Sequence, residues 1–318
     1  MRKSFFSFTI LLCCLCMLFS GCQTAGGKKE EKVDMNGKRI IFIGDSFVYA
    51  GKAVLSNSGL TQKERDGDTG YFYQLCKAKG MEVSVTNWTY GGTGLTKILN
   101  MYSSVLKDRN YDFVVFSGGR NSANTYAALS ETLDTFMSMF REVNPDVKFY
   151  YLVSSGAHNI SVLESFPIDI LNNLDAIEEK GITIVDWGKM VADIIRGKVT
   201  VPGGTQTYNN HTFVKYKSDT DGYHPNQLTG YLTALMTYCA ITGESAIGQP
   251  YAFWNDTSLS SQFDSAKFVA NSYTMGPTNY PDVFASEADM NGLQQLIDQY
   301  LAAKDYRNYN FTQADANG

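Results

Sequence analysis

Four short segments, far apart in the sequence, contain the residue types that acyl transfer by a serine needs. That chemistry requires a nucleophile, a base held in a fixed orientation, and hydrogen-bond donors for a developing oxyanion. The segments are Gly44-Asp45-Ser46, Gly91-Gly92, Gly119-Arg120-Asn121 and Asp221-Gly222-Tyr223-His224. In such a set Ser46 would attack, His224 would accept its proton, and amide groups would surround the oxyanion.

The elements that must position these residues are predicted by runs of apolar side chains. Short apolar, β-branched runs are typical of buried parallel strands, and segments with helical spacing lie between them. We expect strands at 39–44, 82–88, 111–117, 148–153 and 182–186. We expect helices at 70–79, 94–106, 126–143, 163–180, 226–241 and 287–303. This alternation predicts an α/β fold, with a parallel five-stranded sheet in a three-layer α/β/α sandwich.

Three of the candidate residues follow the carboxyl ends of predicted strands. Ser46, Gly92 and Asn121 each come just after such an end, and ligands of parallel sheets bind at that edge. Each segment also has a plainer interpretation. A Gly-Asp-Ser tripeptide often forms a strand-ending turn or a helix cap, and the segment around Asn121 could be an ordinary turn. A lone histidine is more often structural than catalytic. The combination and order of the four segments favour catalysis.

In that combination the segments resemble the conserved blocks of the SGNH, or GDSL-like, hydrolase family. Ser46 matches the nucleophile of the first block, Gly92 the glycine of the second, and Asn121 the asparagine of the third. The family pattern has Asp after that asparagine, whereas Ser122 stands here. The resemblance implies the flavodoxin-like SGNH hydrolase fold and a serine esterase that uses no cofactor and no metal.

The resemblance also assigns roles to individual residues. The last block of the family, Asp-x-x-His, is matched by Asp221 and His224. Asp221 would orient His224, which would activate Ser46; Asp219 is a rival orienting residue, and the spacing favours Asp221. The oxyanion hole would consist of the Ser46 N–H, the Gly92 N–H and the side-chain amide of Asn121.

The first residues predict export. Arg2-Lys3 followed by an apolar run is typical of a signal peptide. That run ends at Leu18-Phe19-Ser20-Gly21-Cys22, which resembles a bacterial lipoprotein signal in which Cys22 is lipidated. An ordinary cleaved signal peptide is the alternative. We expect a signal at 1–21, a flexible tether at 22–38, a hydrolase domain at 39–243 and an extension at 244–318 packed on that domain. The protein would then be anchored to the cell membrane or cell surface.

Two cysteines remain after the predicted signal and its lipid site. Cys76 and Cys239 lie in apolar helical stretches, so we expect two small core residues. A disulfide between them is the alternative in an oxidising compartment.

Composition and compartment limit the partners. The chain of 318 residues has a net charge of −5, which argues against binding of nucleic acid. An exported esterase meets acylated carbohydrates, so the family and the compartment favour removal of acetyl groups from carbohydrate. Trp88 and Trp187 could stack on sugar rings, although aromatic residues there are more often core. The alternatives are a lipase, lysophospholipase or thioesterase, an acyltransferase, and a non-catalytic glycan-binding lipoprotein.

Overall fold

The structure, a computed structural model, describes most of the chain between residues 32 and 303. The described residues are 32–49, 65–66, 70–104, 106, 108–118, 125–154, 168–205, 207–208, 210–213, 225, 227–251 and 287–303. Among them no helix has the length and apolar character that a membrane span requires.

The centre of the described fold is a six-stranded sheet. Its strands are β1 (Arg39–Gly44), β2 (Arg65–Asp66), β3 (Ser84–Thr89), β4 (Phe113–Ser117), β5 (Lys148–Leu152) and β6 (Ile182–Val185). They are ordered β2-β3-β1-β4-β5-β6. Five of them are parallel, and β2 pairs antiparallel with β3. When β2 is left out and the five parallel strands are numbered by their sequence order, they lie across the sheet in the order 2-1-3-4-5. This is the flavodoxin-like order. The predicted fold class is thereby confirmed.

Helices cover both faces of this sheet. They are α1 (Ser46–Tyr49), α2 (Tyr71–Ala78), α3 (Leu95–Tyr102), α4 (Tyr126–Arg141), α5 (Ile168–Leu171), α6 (Leu174–Glu179), α7 (Trp187–Ile195), α8 (Asn210–Phe213), α9 (Gln227–Thr242) and α10 (Glu287–Ala303). One core cluster joins the sheet to α1, α2, α7, α8, α9 and α10. The other joins it to α3, α4, α5 and α6.

The sequence of β1 shows why the sheet lies between two layers. Side chains alternate between the two faces of a strand. Ile40 and Phe42 belong to one core cluster, and Ile41 and Ile43 belong to the other. A strand with apolar side chains on both faces needs cover on both sides, which the two helical layers provide.

The helix expected at 163–180 is interrupted in the described part of that range. From residue 168 onward there are two short helices, α5 and α6, with Asn172 and Asn173 between them. The side-chain amide of Asn173 donates a hydrogen bond to the backbone carbonyl of Asp169, 2.6 Å away. Such local bonds compete with regular helical hydrogen bonding, which accounts for the break.

Four described elements were not expected from the sequence. The strand β2 and the helices α1 and α8 are too short to give a periodic signal. The helix α7 was missed because it has only nine residues and begins two residues after the end of β6, so its apolar side chains resemble a continuation of the strand. Asp186 caps it by accepting the Lys189 N–H at 2.9 Å. The helix expected at 94–106 ends earlier, at Tyr102.

The helix α10 is attached to the rest of the protein by buried polar contacts. Asp289, with only 3% of its surface exposed, accepts hydrogen bonds from the Thr205 N–H, the Thr205 hydroxyl and the Tyr208 hydroxyl. Gln294 accepts the Gly248 N–H, and the Tyr300 hydroxyl donates to Asp193. Since buried polar groups are costly when unpaired, these bonds fix the position of the helix on the core.

Candidate active site

The turn that contains Ser46 follows the central strand β1 directly. The Asp45 carboxylate accepts the Phe47 N–H at 3.0 Å, and the Val48 N–H donates to the Asp45 carbonyl at 3.2 Å. Asp45 therefore caps the short helix α1. The plainer interpretation of Gly-Asp-Ser as a helix cap holds for Asp45, and it leaves the role of Ser46 open.

Ser46 is more exposed than its neighbours in the chain. Asp45, Phe47 and Val48 are buried, with 2%, 8% and 0% of their surface exposed, whereas Ser46 is partly exposed. Phe47 and Val48 pack in the core on one face of the sheet. The turn is thus anchored on both sides of a serine that solvent can reach.

Three strand ends meet at this turn. In the register of the sheet, Gly44 lies between Thr89 of β3 and Ser117 of β4. The Tyr90 N–H donates to the Gly44 carbonyl at 2.9 Å, which extends the pairing past the end of β3. From β1 the chain crosses to β3 on one side and then to β4 on the other. The serine turn therefore lies at the switch point of the strand order, where flavodoxin-like folds bind their ligands.

Gly44 allows β1 and β4 to approach closely. A Cβ added to Gly44 would lie 2.1 Å from the Ser117 carbonyl oxygen, a distance that no side chain tolerates. The strand end beside the serine turn therefore requires glycine.

Gly92 follows the end of the neighbouring strand β3. It lies in a turn with a φ of +67°, the left-handed region that favours glycine. A Cβ added there would meet nothing within 4 Å. The backbone conformation by itself therefore favours glycine at this position, independent of any ligand.

The remaining predicted site residues lie outside the described residues. These are Asn121, Asp221, His224 and the predicted lipid site Cys22. The chain is described again at Pro225, which is buried, and at the start of α9. Ser46 and Gly92 are thus the two predicted site residues whose surroundings the structure gives.

A buried tyrosine lies near the serine turn and was not predicted from the sequence. Tyr151 of β5 donates a hydrogen bond to the carbonyl of Gly118, the residue after β4, at 2.5 Å. Burial raises the pKa of Tyr151 far above its usual value, and the negative charge of Asp45 raises it further. Its hydroxyl therefore stays protonated. Its apolar strand gave no sign of a role at the site.

The two tryptophans considered for sugar stacking belong to the core. Trp88 has 2% and Trp187 has 1% of its surface exposed, and Trp88 packs edge-on against Phe136. The stacking hypothesis is therefore wrong for both, because neither ring can reach a sugar without unpacking the core.

Cys76 and Cys239 are free and buried, as the core interpretation predicted. Burial raises the pKa of the Cys76 thiol to about 12, with a further contribution from the negative charge of Glu244. The pKa of the Cys239 thiol is also raised, mainly by burial. In the described part of the chain, no group of His, Cys, Asp and Glu side chains is arranged to hold a metal ion.

Comparison with known proteins gives matches among solved structures alone. No family model and no curated protein matches the chain. Similar solved structures include esterases and lipases. One is a catalytic mutant of an acetylxylan esterase from Geobacillus stearothermophilus, with 15% identity and a TM-score of 0.47 over 67% of this chain and 96% of that one. Another is a GDSL-like lipase from Parabacteroides merdae, with 14% identity and a TM-score of 0.47 over 67% of this chain and 99% of that one.

A third similar structure combines a catalytic and a carbohydrate-binding domain. It is a carbohydrate esterase family 2 enzyme from Corynascus thermopiles, with 17% identity and a TM-score of 0.43 over 66% of this chain and 67% of that one. GDSL-like lipases and acetylxylan esterases are the kind of protein that the sequence blocks resemble.

Proposed function

We propose that the chain is a serine ester hydrolase of the SGNH, or GDSL-like, type. One observation carries the proposal: a partly exposed Ser46 follows the central strand at the switch point of a flavodoxin-like sheet. Its neighbours Asp45 and Phe47 are buried and hold the turn. A nucleophile on a rigid turn at a ligand-binding edge is what acyl transfer requires.

The proposed mechanism uses a triad. Ser46 attacks the carbonyl carbon of the ester while His224 takes the hydroxyl proton. Asp221 accepts the other ring N–H of His224 and so fixes its tautomer and orientation. The tetrahedral intermediate then collapses as His224 gives the proton to the leaving alcohol. A water activated by the same histidine releases the acyl group from Ser46.

The oxyanion would be stabilised by three donors. We assign these to the Ser46 N–H, the Gly92 N–H and the side-chain amide of Asn121. What supports Gly92 is its place in a turn just after β3, the strand that pairs with β1. One such donor is worth about 10²–10³ in turnover in a serine hydrolase.

The compartment and chain organisation are part of the proposal. Residues 1–21 would be a lipoprotein signal, and Cys22 would hold the lipid at the cell membrane or cell surface. Residues 22–38 would be a tether. The hydrolase domain would span 39–243, with 244–318 packed on it. Several acyl chains on Cys22 would give stable anchoring, whereas a single chain gives marginal binding.

For the substrate we propose short acyl esters, above all acetyl groups on carbohydrate. The support is the predicted export together with the family resemblance. A lipase or lysophospholipase would instead prefer long acyl chains, a thioesterase would prefer thioesters, and an acyltransferase would need an added acceptor alcohol. A glycan-binding lipoprotein would keep its biological activity when Ser46 is replaced.

The test is hydrolysis of synthetic acetyl esters by the full chain purified in a mild detergent. We expect Ser46→Ala and His224→Ala to abolish turnover, and Ser138→Ala to leave it unchanged as a matched control. Ser138 is exposed on α4, away from the strand ends. Asp221→Ala should reduce turnover far more than Asp219→Ala. A wild-type chain with no hydrolysis and no labelling of Ser46 by a fluorophosphonate would refute the proposal.

A further inference from the structure

The end of β4 is held by a side chain from the next strand. The Tyr151 hydroxyl donates to the Gly118 carbonyl at 2.5 Å, and Tyr151 is fully buried. In the register of the sheet Tyr151 lies opposite Phe116, and the last registered pair is Ser117 with Leu152. The tyrosine therefore reaches past the end of the regular pairing and fixes the carbonyl that follows it.

The same tyrosine lies close enough to the serine turn to interact with Asp45. The Asp45 charge acts on the phenol of Tyr151, and Asp45 precedes Ser46 in the chain. Because the hydroxyl stays protonated, it can donate to Gly118 throughout the pH range in which esterases work. Asp45 in turn holds the Phe47 N–H, so the two residues act on adjoining parts of the same edge.

These contacts link four neighbouring strand ends. The Tyr90 N–H after β3 binds the Gly44 carbonyl of β1. Gly44 packs against the backbone of Ser117 in β4. The Tyr151 side chain of β5 then holds Gly118, which follows Ser117. The serine turn lies within this line of contacts, so a movement at Gly118 is transmitted to it through closely packed backbone.

We propose that Tyr151 is a positioning residue that fixes the end of β4 beside Ser46. The proposal rests on the proposed function, since Asn121, the assigned oxyanion donor, follows Gly118 by three residues. Without the hydroxyl, the Gly118 carbonyl is left buried without this donor and the strand end must shift to find another. A displacement of about 1 Å in a catalytic group can cost about 10²-fold in rate.

Tyr111 offers a matched control. It is also fully buried and belongs to the same core cluster as Tyr151. Its hydroxyl donates to the Thr86 hydroxyl at 3.3 Å. It lies two residues before β4 begins, at the opposite edge of the sheet from Ser46. Both variants thus remove a hydroxyl group from the same core cluster. Tyr111→Phe does so far from the serine turn, and Tyr151→Phe does so near it.

The experiment compares both variants with the wild-type full chain in mild detergent. For Tyr151→Phe we expect kcat for an acetyl ester to fall about tenfold or more with KM nearly unchanged, because positioning acts on the transition state. Tyr111→Phe should keep the wild-type kcat, even if its thermal unfolding midpoint falls by as much as that of Tyr151→Phe. Replacing Tyr151 with 4-aminophenylalanine, whose ring amine can still donate, should restore most of the kcat. This last variant separates the lost donor from a general loss of folding.

Two results would overturn the inference. One is a kcat for Tyr151→Phe equal to that of Tyr111→Phe; the other is a 4-aminophenylalanine variant that folds and is as slow as Tyr151→Phe. A wild-type chain without activity refutes the proposed function instead. In that case, hydrogen exchange over 113–118 tests the positioning role. Exchange should be faster in Tyr151→Phe than in Tyr111→Phe, and equal protection in the two would overturn the inference.

Discussion

The backbone of Ser117 occupies the space that a side chain on Gly44 would need. An added Cβ would lie 2.1 Å from the Ser117 carbonyl oxygen and 2.9 Å from its carbonyl carbon. This oxygen and this carbon are backbone atoms, which cannot rotate away as the end of a side chain can. The close packing of β1 on β4 therefore depends on glycine two residues before Ser46.

We expect Gly44→Ala to reduce both stability and turnover. Forcing a methyl group into packed backbone costs about 1–3 kcal/mol, and the strand ends can relieve it only by moving the serine turn. Hydrolysis per folded molecule should fall about tenfold or more. Urea unfolding and kcat for an acetyl ester are the measurements. Gly292→Ala, with a similar backbone clash in α10, is the control that should lose stability but keep kcat.

Gly92 differs from Gly44 because its constraint is conformational. Its φ is +67° and there is open space for a side chain, so Gly92→Ala should cost about 1–2 kcal/mol of local strain. Asn adopts this region more readily than β-branched residues do. We therefore expect kcat to decrease in the order Gly92, Gly92→Asn, Gly92→Ala, Gly92→Val.

Gly80 is the matched control for this series. Its φ is +72° and a Cβ there also meets nothing within 4 Å, but it lies before β3, at the other edge of the sheet. Gly80→Ala should lose a similar amount of stability and keep its kcat. If Gly80→Ala and Gly92→Ala had equal kcat values, the left-handed conformation at Gly92 would have no influence on the reaction.

The sequence predicted the elements of the fold well where an element has one uninterrupted pattern of apolar residues. The bounds of β1 are those expected, because it is a single apolar run that follows polar residues and ends at a turn. The helix α7 was missed because its nine residues follow β6 almost directly, which leaves too short a window to separate a helical period from the apolar run of the strand.

At the candidate site, residue types and motifs predicted the reacting residues but not the side chains that hold them in place. Ser46 and Gly92 were identified from short motifs, and both lie at adjoining strand ends. Tyr151 could not be found this way, because its hydroxyl acts across two strands that are distant in sequence. For Trp88 the core interpretation, which the sequence favoured over sugar stacking, agrees with its burial.

The buried cysteines predict a loss of stability at alkaline pH. The pKa of Cys76 is raised to about 12 in the folded protein, while a thiol in an unfolded chain has a pKa of about 8.5. Above pH 8.5 the unfolded chain therefore binds fewer protons, and stability falls as pH rises. At pH 10 this one thiol accounts for a loss of about 2 kcal/mol.

The measurement is the free energy of unfolding in urea between pH 7 and 10. Cys76→Ala should show a shallower decline than the wild type, whatever its stability at pH 7. In the folded wild type at pH 8, neither Cys76 nor Cys239 should react with a thiol reagent until urea is added. Parallel pH curves for the variant and the wild type would show that Cys76 does not titrate on unfolding.

The helix α10 supplies a prediction that runs against helix propensity. In a helix interior, Gly→Ala usually stabilises by about 1 kcal/mol. At Gly292, however, an added Cβ would lie 2.2 Å from the Pro202 carbonyl oxygen and 2.6 Å from a methyl carbon of Val201. We expect Gly292→Ala to lower the free energy of unfolding by about 1–3 kcal/mol. Asn291→Ala, one residue earlier and partly exposed, should raise it slightly. If Gly292→Ala were as stable as Asn291→Ala, α10 would not pack on the 201–205 loop as closely as the structure has it, and the hydrogen bonds of Asp289 to Thr205 would lose their role in fixing this helix.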